Sequence, residues 1–255
     1  MLDVAKMLVM DRYTIVARVL PASIVAFPSA LIAYTWAPFE LNFTKGATAA
    51  TIFVPLAYAL SYIVRDAGKR LEERLILAWG GWPSTAVLRH RDSTYDETTK
   101  SRFHKRLIEV EAVESMPTKE EEAADPVGAD IAFTAAATWL RGKTRDVKKF
   151  PLIFEENINY GFVRNLLGSR PYALTAAILC VGSDALLTWL GRSHGNVAIL
   201  ATIYGLSLTF GLSKSGLRRQ SFAYARRLVE AIDALNSPKV KAKSRSRKSV
   251  AETAT

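Results

Sequence analysis

The sequence predicts an all-α polytopic membrane protein with four transmembrane helices and a helical cytoplasmic domain, and two observations predict it. Four stretches, residues 19–39, 46–64, 171–190 and 195–213, carry no charge or a single acid. Each is close to the roughly 20 residues that an α-helix needs to cross ~30 Å of hydrocarbon with its backbone groups satisfied internally. The basic residues are also segregated. Of 34 Lys and Arg, 18 lie in 65–170 and 11 in 213–255, while only Lys45 and Arg192 fall in the short connections between stretches. Basic residues collect on the cytoplasmic side, which places both termini and the long central segment there, as an even number of spans requires. The overall composition, 49% hydrophobic and 23% charged, would also suit a soluble domain, so the segregation rather than the average carries the reading.

Taken in order, residues 1–18 read as a cytoplasmic amphipathic helix, with Val4, Met7, Leu8 and the run from Tyr13 on its apolar face. The apolar run that follows is too long for a signal-peptide core, so the first span is expected to be an anchor. Residues 19–64 form the first transmembrane hairpin, with Pro21 and Pro28 in its first helix and Pro55 in its second. The second helix is expected to continue into the cytoplasm through Leu71, Leu75 and Ala78, and to stop at Gly80-Gly81 before Pro83.

The cytoplasmic domain, residues 65–170, is expected to hold further helices over about 101–116, 130–141 and 155–167. The last of these ends at Gly168 with Pro171 beyond, a glycine C-cap pattern. Eight acids against Lys119 between Glu109 and Asp130 read as an exposed connection. Residues 171–213 form the second hairpin and 214–237 an amphipathic cytoplasmic helix. Residues 238–255, rich in Lys, Arg and Ser, form a disordered basic tail. The 213–255 segment holds 11 bases against 3 acids, a charge that fits attraction to anionic head groups of the bilayer.

Several motifs fail on inspection. Gly142-Lys143-Thr144 ends like a phosphate-binding loop, yet Ala137 stands where its first glycine belongs, in an alanine-rich helical run. His90-Arg91-Asp92 opens like a kinase catalytic loop without the rest of that motif set. His90, His104 and His194 have no metal-ligand spacing, and the single Cys180 excludes an intrachain disulfide or a cysteine zinc cluster. The chain is therefore not expected to be an enzyme or to carry a cofactor.

Three sets of residues keep a functional reading. Trp79 and Trp82 flank a tight turn before Arg89, His90 and Arg91. They either stack a base above phosphate-binding guanidinium groups or anchor the domain at the membrane surface. Asn157, Tyr160, Arg164 and Asn165 share a helix and can contact a nucleic acid or cross-link helices. Within the third span Asp184 is the exception, since an Asp near a span's centre costs about 2.5–3.5 kcal/mol on insertion scales. With Ser183, Cys180 and Leu187 it lines a permeation path in an oligomer, or it makes a hydrogen bond between helices, or its carboxyl group reaches toward the outer surface seven residues before Gly191.

The four-span plan, with the stretches GGWPSTAVLRHRD at 80–92 and ENINYGFVRNLLG at 156–168, resembles bacterial membrane proteins of anti-phage defence. It is most similar to the Hailong-type membrane effector, whose partner is a nucleotidyltransferase that makes short DNA oligomers. The resemblance implies a multi-pass, homo-oligomeric channel of the bacterial inner membrane. An oligonucleotide on the cytoplasmic domain would gate it, and opening would disrupt the membrane potential. It implies an oligonucleotide site at Trp82, Arg89, Arg91, Arg102, Lys105, Arg106, Tyr160, Arg164 and Asn165. The alternative is a non-conducting membrane scaffold that recruits a cytoplasmic partner.

Overall fold

The computed structural model describes residues 12–36, 43–192 and 195–235, with side chains in the second helix from Phe53 onward. The expected amphipathic start (residues 1–11), His194 and the basic tail lie outside the described residues. What is described is helical, with no strand. The helices are α1 (Arg12–Trp36), α2 (Phe43–Ala78), α3 (Pro83–Ala86), α4 (Glu97–Glu109), α5 (Lys119–Ala124), α6 (Pro126–Lys143), α7 (Pro151–Trp189), α8 (Asn196–Gly211) and α9 (Lys214–Glu230). A 3₁₀ turn, Ala231–Ala234, closes α9. By length and composition, α1 and α7 can each cross a membrane. A third span is reached if α8 and α9, bent by 56° at their junction, count as one.

Two long helices organise the molecule, α2 ending where the sequence predicts and α7 running further than it predicts. α2 continues past the apolar stretch to Ala78 and stops at Gly80 and Gly81, whose φ values of 76° and 118° are left-handed. A side chain at Gly81 would also meet the Arg89 guanidinium at 2.9 Å. α7 corrects the sequence reading: the helix expected to end at Gly168 runs unbroken from Pro151 to Trp189. Gly168 is not a cap but a crossing point. A Cβ there would lie 2.5 Å from the Gly68 Cα, and a Cβ on Gly68 would lie 2.8 Å from the Asn165 Cα. The α2 and α7 backbones touch, which only residues without a side chain permit. Pro171 then costs α7 one backbone hydrogen bond rather than its continuity.

The prolines of α1 stand beside two contacts between distant helices. Proline has no N–H, so the carbonyl four residues before it loses its helical donor, a costly vacancy away from water. Near Pro21 the π-helical segment Ile15–Val19 shifts the bonding frame to five residues, and its Ala17 carbonyl receives the Asn165 Nδ2 at 2.6 Å. For Pro28 the carbonyl left without its donor is Ile24, and it receives the Tyr204 hydroxyl at 2.7 Å. α7 and α8 thus supply donors to α1 near both prolines. Tyr204→Phe is expected to destabilise the fold by about 1 kcal/mol. Pro28→Ala in the same chain should cancel most of that loss by restoring the N–H, as unfolding in a detergent titration would register.

The polar helices fold against the ends of α7 and α9. Val87, Leu88, Phe103, Leu107, Phe133, Leu140, Ile153, Leu228 and Ile232 share one core, so α9 belongs to the same module as the central segment. Caps set the helix starts. Asp96 accepts from Thr99 N at 2.9 Å, which begins α4 four residues earlier than the apolar pattern suggested. Glu111, at a φ of 58°, follows its early end. Thr118 and Glu121 form a capping box on α5, Asp125 caps α6, and Ser213 caps α9. The acid-rich stretch read as an exposed connection therefore contains a capped helix, and its Glu122 is buried.

Candidate functional site

The residues expected to line a path face the inside of the chain. Ala173, Ala177, Cys180, Asp184 and Leu187 recur at alternating steps of four and three along α7 and are all buried. That spacing makes one stripe on a helix. Asp184 is fully buried, and its Oδ2 accepts from Ala198 N at 2.8 Å, in the first turn of α8. The carboxyl group acts as an N-cap supplied from another helix, at the end of α8 where the dipole favours an acid. This is the helix-to-helix hydrogen bond among the three readings left open by the sequence. Ser183 faces elsewhere and accepts the Trp36 indole N–H at 2.6 Å.

The expected ligand residues fall into three groups with different partners. Tyr160, Arg164 and Asn165 meet at the α2–α7 crossing. The Arg164 guanidinium lies 3.2 Å from Glu72 Oε2 and donates to Asn165 Oδ1 at 3.1 Å, and the Tyr160 hydroxyl donates to Glu72 Oε1. Glu72, Arg164 and Asn165 are all buried. They cross-link helices, and Asn165 continues the network to the Ala17 carbonyl.

Arg89 and Arg91 converge on carboxylates of the acidic stretch. Arg89 grips Asp130 through Nε at 2.8 Å and Nη2 at 2.7 Å, and its Nη2 also donates to the Gly80 carbonyl. Arg91 bridges Glu122 at 2.7 Å and Asp130 at 3.1 Å, while His90 N donates to Glu122. Arg102 pairs with Asp233, and Arg106 with Glu109 and the Leu235 carbonyl, so both join α4 to the end of α9. Lys105 is exposed on α4. Trp82 is 40% exposed, with the Arg141 guanidinium 5.9 Å from its ring centroid.

That Arg141 leads to residues that, Asn157 apart, the sequence alone does not single out. A cavity of about 260 Å³ is lined by Arg141, Arg145, Asn157, Phe154 and Tyr224 together with Thr144. Two guanidinium groups, two aromatic rings and an amide converge, with no carboxylate in the wall among the described residues. These are the group types that hold a phosphate, stack a base and read a base edge. Burial pushes the Tyr224 phenol up, with Arg141 opposing, so the ring carries a neutral hydroxyl at neutral pH. The available signal was the run 141–149, five bases with only Asp146 to oppose them, followed at once by Phe150 and Phe154.

His104 gives the module a pH dependence. It is buried against Phe133, edge-on to His90, and donates from Nε2 to the Leu88 carbonyl at 2.8 Å. Burial pushes its imidazole below the usual histidine value, outweighing the carbonyl contact. The folded chain therefore keeps it neutral, while the unfolded chain takes up a proton near pH ~6.5. Stability is fully present above that pH and is lost as pH falls toward the depressed folded value, by up to about 1.4 kcal/mol per pH unit. Melting at pH 7.5 and 5.5 should show the loss, and His104→Gln should reduce it.

Comparison with protein-family models, with curated proteins and with solved structures finds no match to this chain.

Proposed function

We propose that the chain is a four-span, homo-oligomeric membrane channel of bacterial anti-phage defence, gated through its cytoplasmic module by an oligonucleotide. One observation carries the coupling. Phe154 and Asn157, in the wall of the basic and aromatic cavity, stand in the first turns of α7, and that same helix continues without a break to Trp189. At 1.5 Å per residue it is about 58 Å long, nearly twice the hydrocarbon thickness. A ligand that prefers one setting of the module thus acts directly on a helix in the membrane, by as much as its affinities for the two settings differ. The two segments that resemble the defence effectors, 80–92 and 156–168, build the Arg89 cluster and the α2–α7 crossing beside that path.

In this reading the second span is the apolar half of α2 and the fourth is α8. Both termini and the module are cytoplasmic, and a nucleotidyltransferase partner supplies the ligand. The non-conducting scaffold keeps one specific support. Asp184 is spent on capping α8 inside the chain, so it offers no polar wall to a path. Binding of a fluorescent single-stranded DNA oligomer tests the ligand. Arg141→Gln/Arg145→Gln should weaken it by at least ~10-fold and flatten its salt dependence, whereas Lys105→Gln should leave it nearly unchanged. Equal binding by all three chains would overturn the assignment.

A further inference from the structure

The geometry points to a second, separate site: a groove for the phosphate of an anionic phospholipid, where α2, α7 and the α8–α9 bend meet. The groove has a volume of about 320 Å³, and its polar wall consists of Arg70, Arg74, Arg170 and Lys214, with Leu71 and Leu167 on the apolar side. Among the described residues no carboxylate lines it. Glu72, which lies between the two α2 arginines in sequence, is turned inward to Tyr160 and Arg164.

Three elements fix the level of this groove in the bilayer. Gly168 on Gly68 sets the register of α7 against α2, and Arg170 donates to the Leu212 carbonyl at 3.1 Å, bringing the end of α8 to the same level. On one side of that level stand the exposed apolar residues Ile63 on α2, Ile178 on α7 and Phe210 on α8. On the other side charged residues are exposed, the bases Lys69, Arg70, Arg74 and Lys214 with Glu73 among them. Exposed Tyr172 stands at the change, the place where membrane proteins carry aromatic belts. The groove therefore opens at the depth of lipid phosphates. Cations at such a surface favour anionic over zwitterionic lipid about fivefold each. The site depends on membrane embedding and on nothing about conduction or oligonucleotides.

The test uses the full chain in bilayers of phosphatidylcholine with 20% phosphatidylglycerol, reading the preference for spin-labelled phosphatidylglycerol over spin-labelled phosphatidylcholine. Arg70→Gln/Arg74→Gln should reduce that preference by about 25-fold. Lys148→Gln/Lys149→Gln removes the same charge from exposed positions elsewhere and should leave the preference as it was. Both arginines are exposed, so the melting temperature should be retained, and Lys214→Gln gives an independent variant expected to lose about fivefold. Added inorganic phosphate separates the sources: a lipid site keeps its preference in 10 mM phosphate, to the nearest twofold. Loss of the preference to free phosphate would overturn the lipid assignment. So would an equal loss in the Lys148/Lys149 variant, or no initial preference for phosphatidylglycerol.

Discussion

Arg164→Ala should destabilise the folded chain by about 3–5 kcal/mol, because it leaves the buried Glu72 carboxylate without its cation. For a chain of this size that corresponds to a fall in Tm on the order of 10 °C. The pair is 3.2 Å apart with both side chains about nine-tenths covered, and its ties to Tyr160, Asn165 and the Ala17 carbonyl reach three helices. Removing both charges should cost much less than removing one. Glu72→Leu/Arg164→Met should therefore recover most of the stability, since an apolar pair of similar volume needs no desolvation. Unfolding of the detergent-solubilised chain, followed by helical circular dichroism, measures both variants against the unchanged chain. Equal losses in the single and double variants would mean that the ion pair is not the organising contact.

Gly168→Ala has the second large effect, through geometry rather than charge. Its new methyl would stand 2.5 Å from the Gly68 Cα and 2.6 Å from the Ala67 carbonyl oxygen, both backbone atoms of α2. No side-chain rotation relieves that, so α2 and α7 must separate, at a cost of about 1–3 kcal/mol or more. Gly68→Ala forces the same crossing apart one turn away, against the Asn165 Cα at 2.8 Å, and the two together should cost less than their sum. Gly182→Ala is the internal comparison. It lies in the same helix with nothing within 4 Å, and helix propensity alone should stabilise it by up to ~1 kcal/mol.

The sequence shows which segments are helical and which are apolar because both follow from local pattern: the charge-free stretches, the apolar face that carries α2 on to Ala78, and the glycine stop after Trp79. It does not show the cap at Asp96, which lies ahead of the apolar pattern, or that α7 runs on. Gly168 followed by Pro171 reads locally as a terminus, and only the close approach of Gly68 turns that glycine into a crossing. Likewise Pro21 and Pro28 are visible as missing donors, yet nothing near them in sequence says that Asn165 and Tyr204 donate to carbonyls of the preceding turn. The expected ligand residues were chosen as bases beside aromatics, and such residues serve equally well as cross-links. Arg89, Arg91 and Arg164 meet Asp130, Glu122 and Glu72, acids 31–92 positions away in the chain, two of them in a stretch that looks solvated. The cavity at Arg141, Arg145 and Asn157 draws on three helices, so no single window of sequence displays it.

Ion flux from liposomes containing the full chain, recorded with and without a short single-stranded DNA oligomer, tests the coupling of module to membrane most directly. The oligomer should change the flux through the wild-type chain, and Arg141→Gln/Arg145→Gln should abolish that response by abolishing binding. Gly168→Ala should retain binding while the flux no longer responds, because the rod formed by α7 has lost its seat on α2. A flux that is absent, or one that the bound oligomer leaves unchanged in the wild-type chain, would contradict the account.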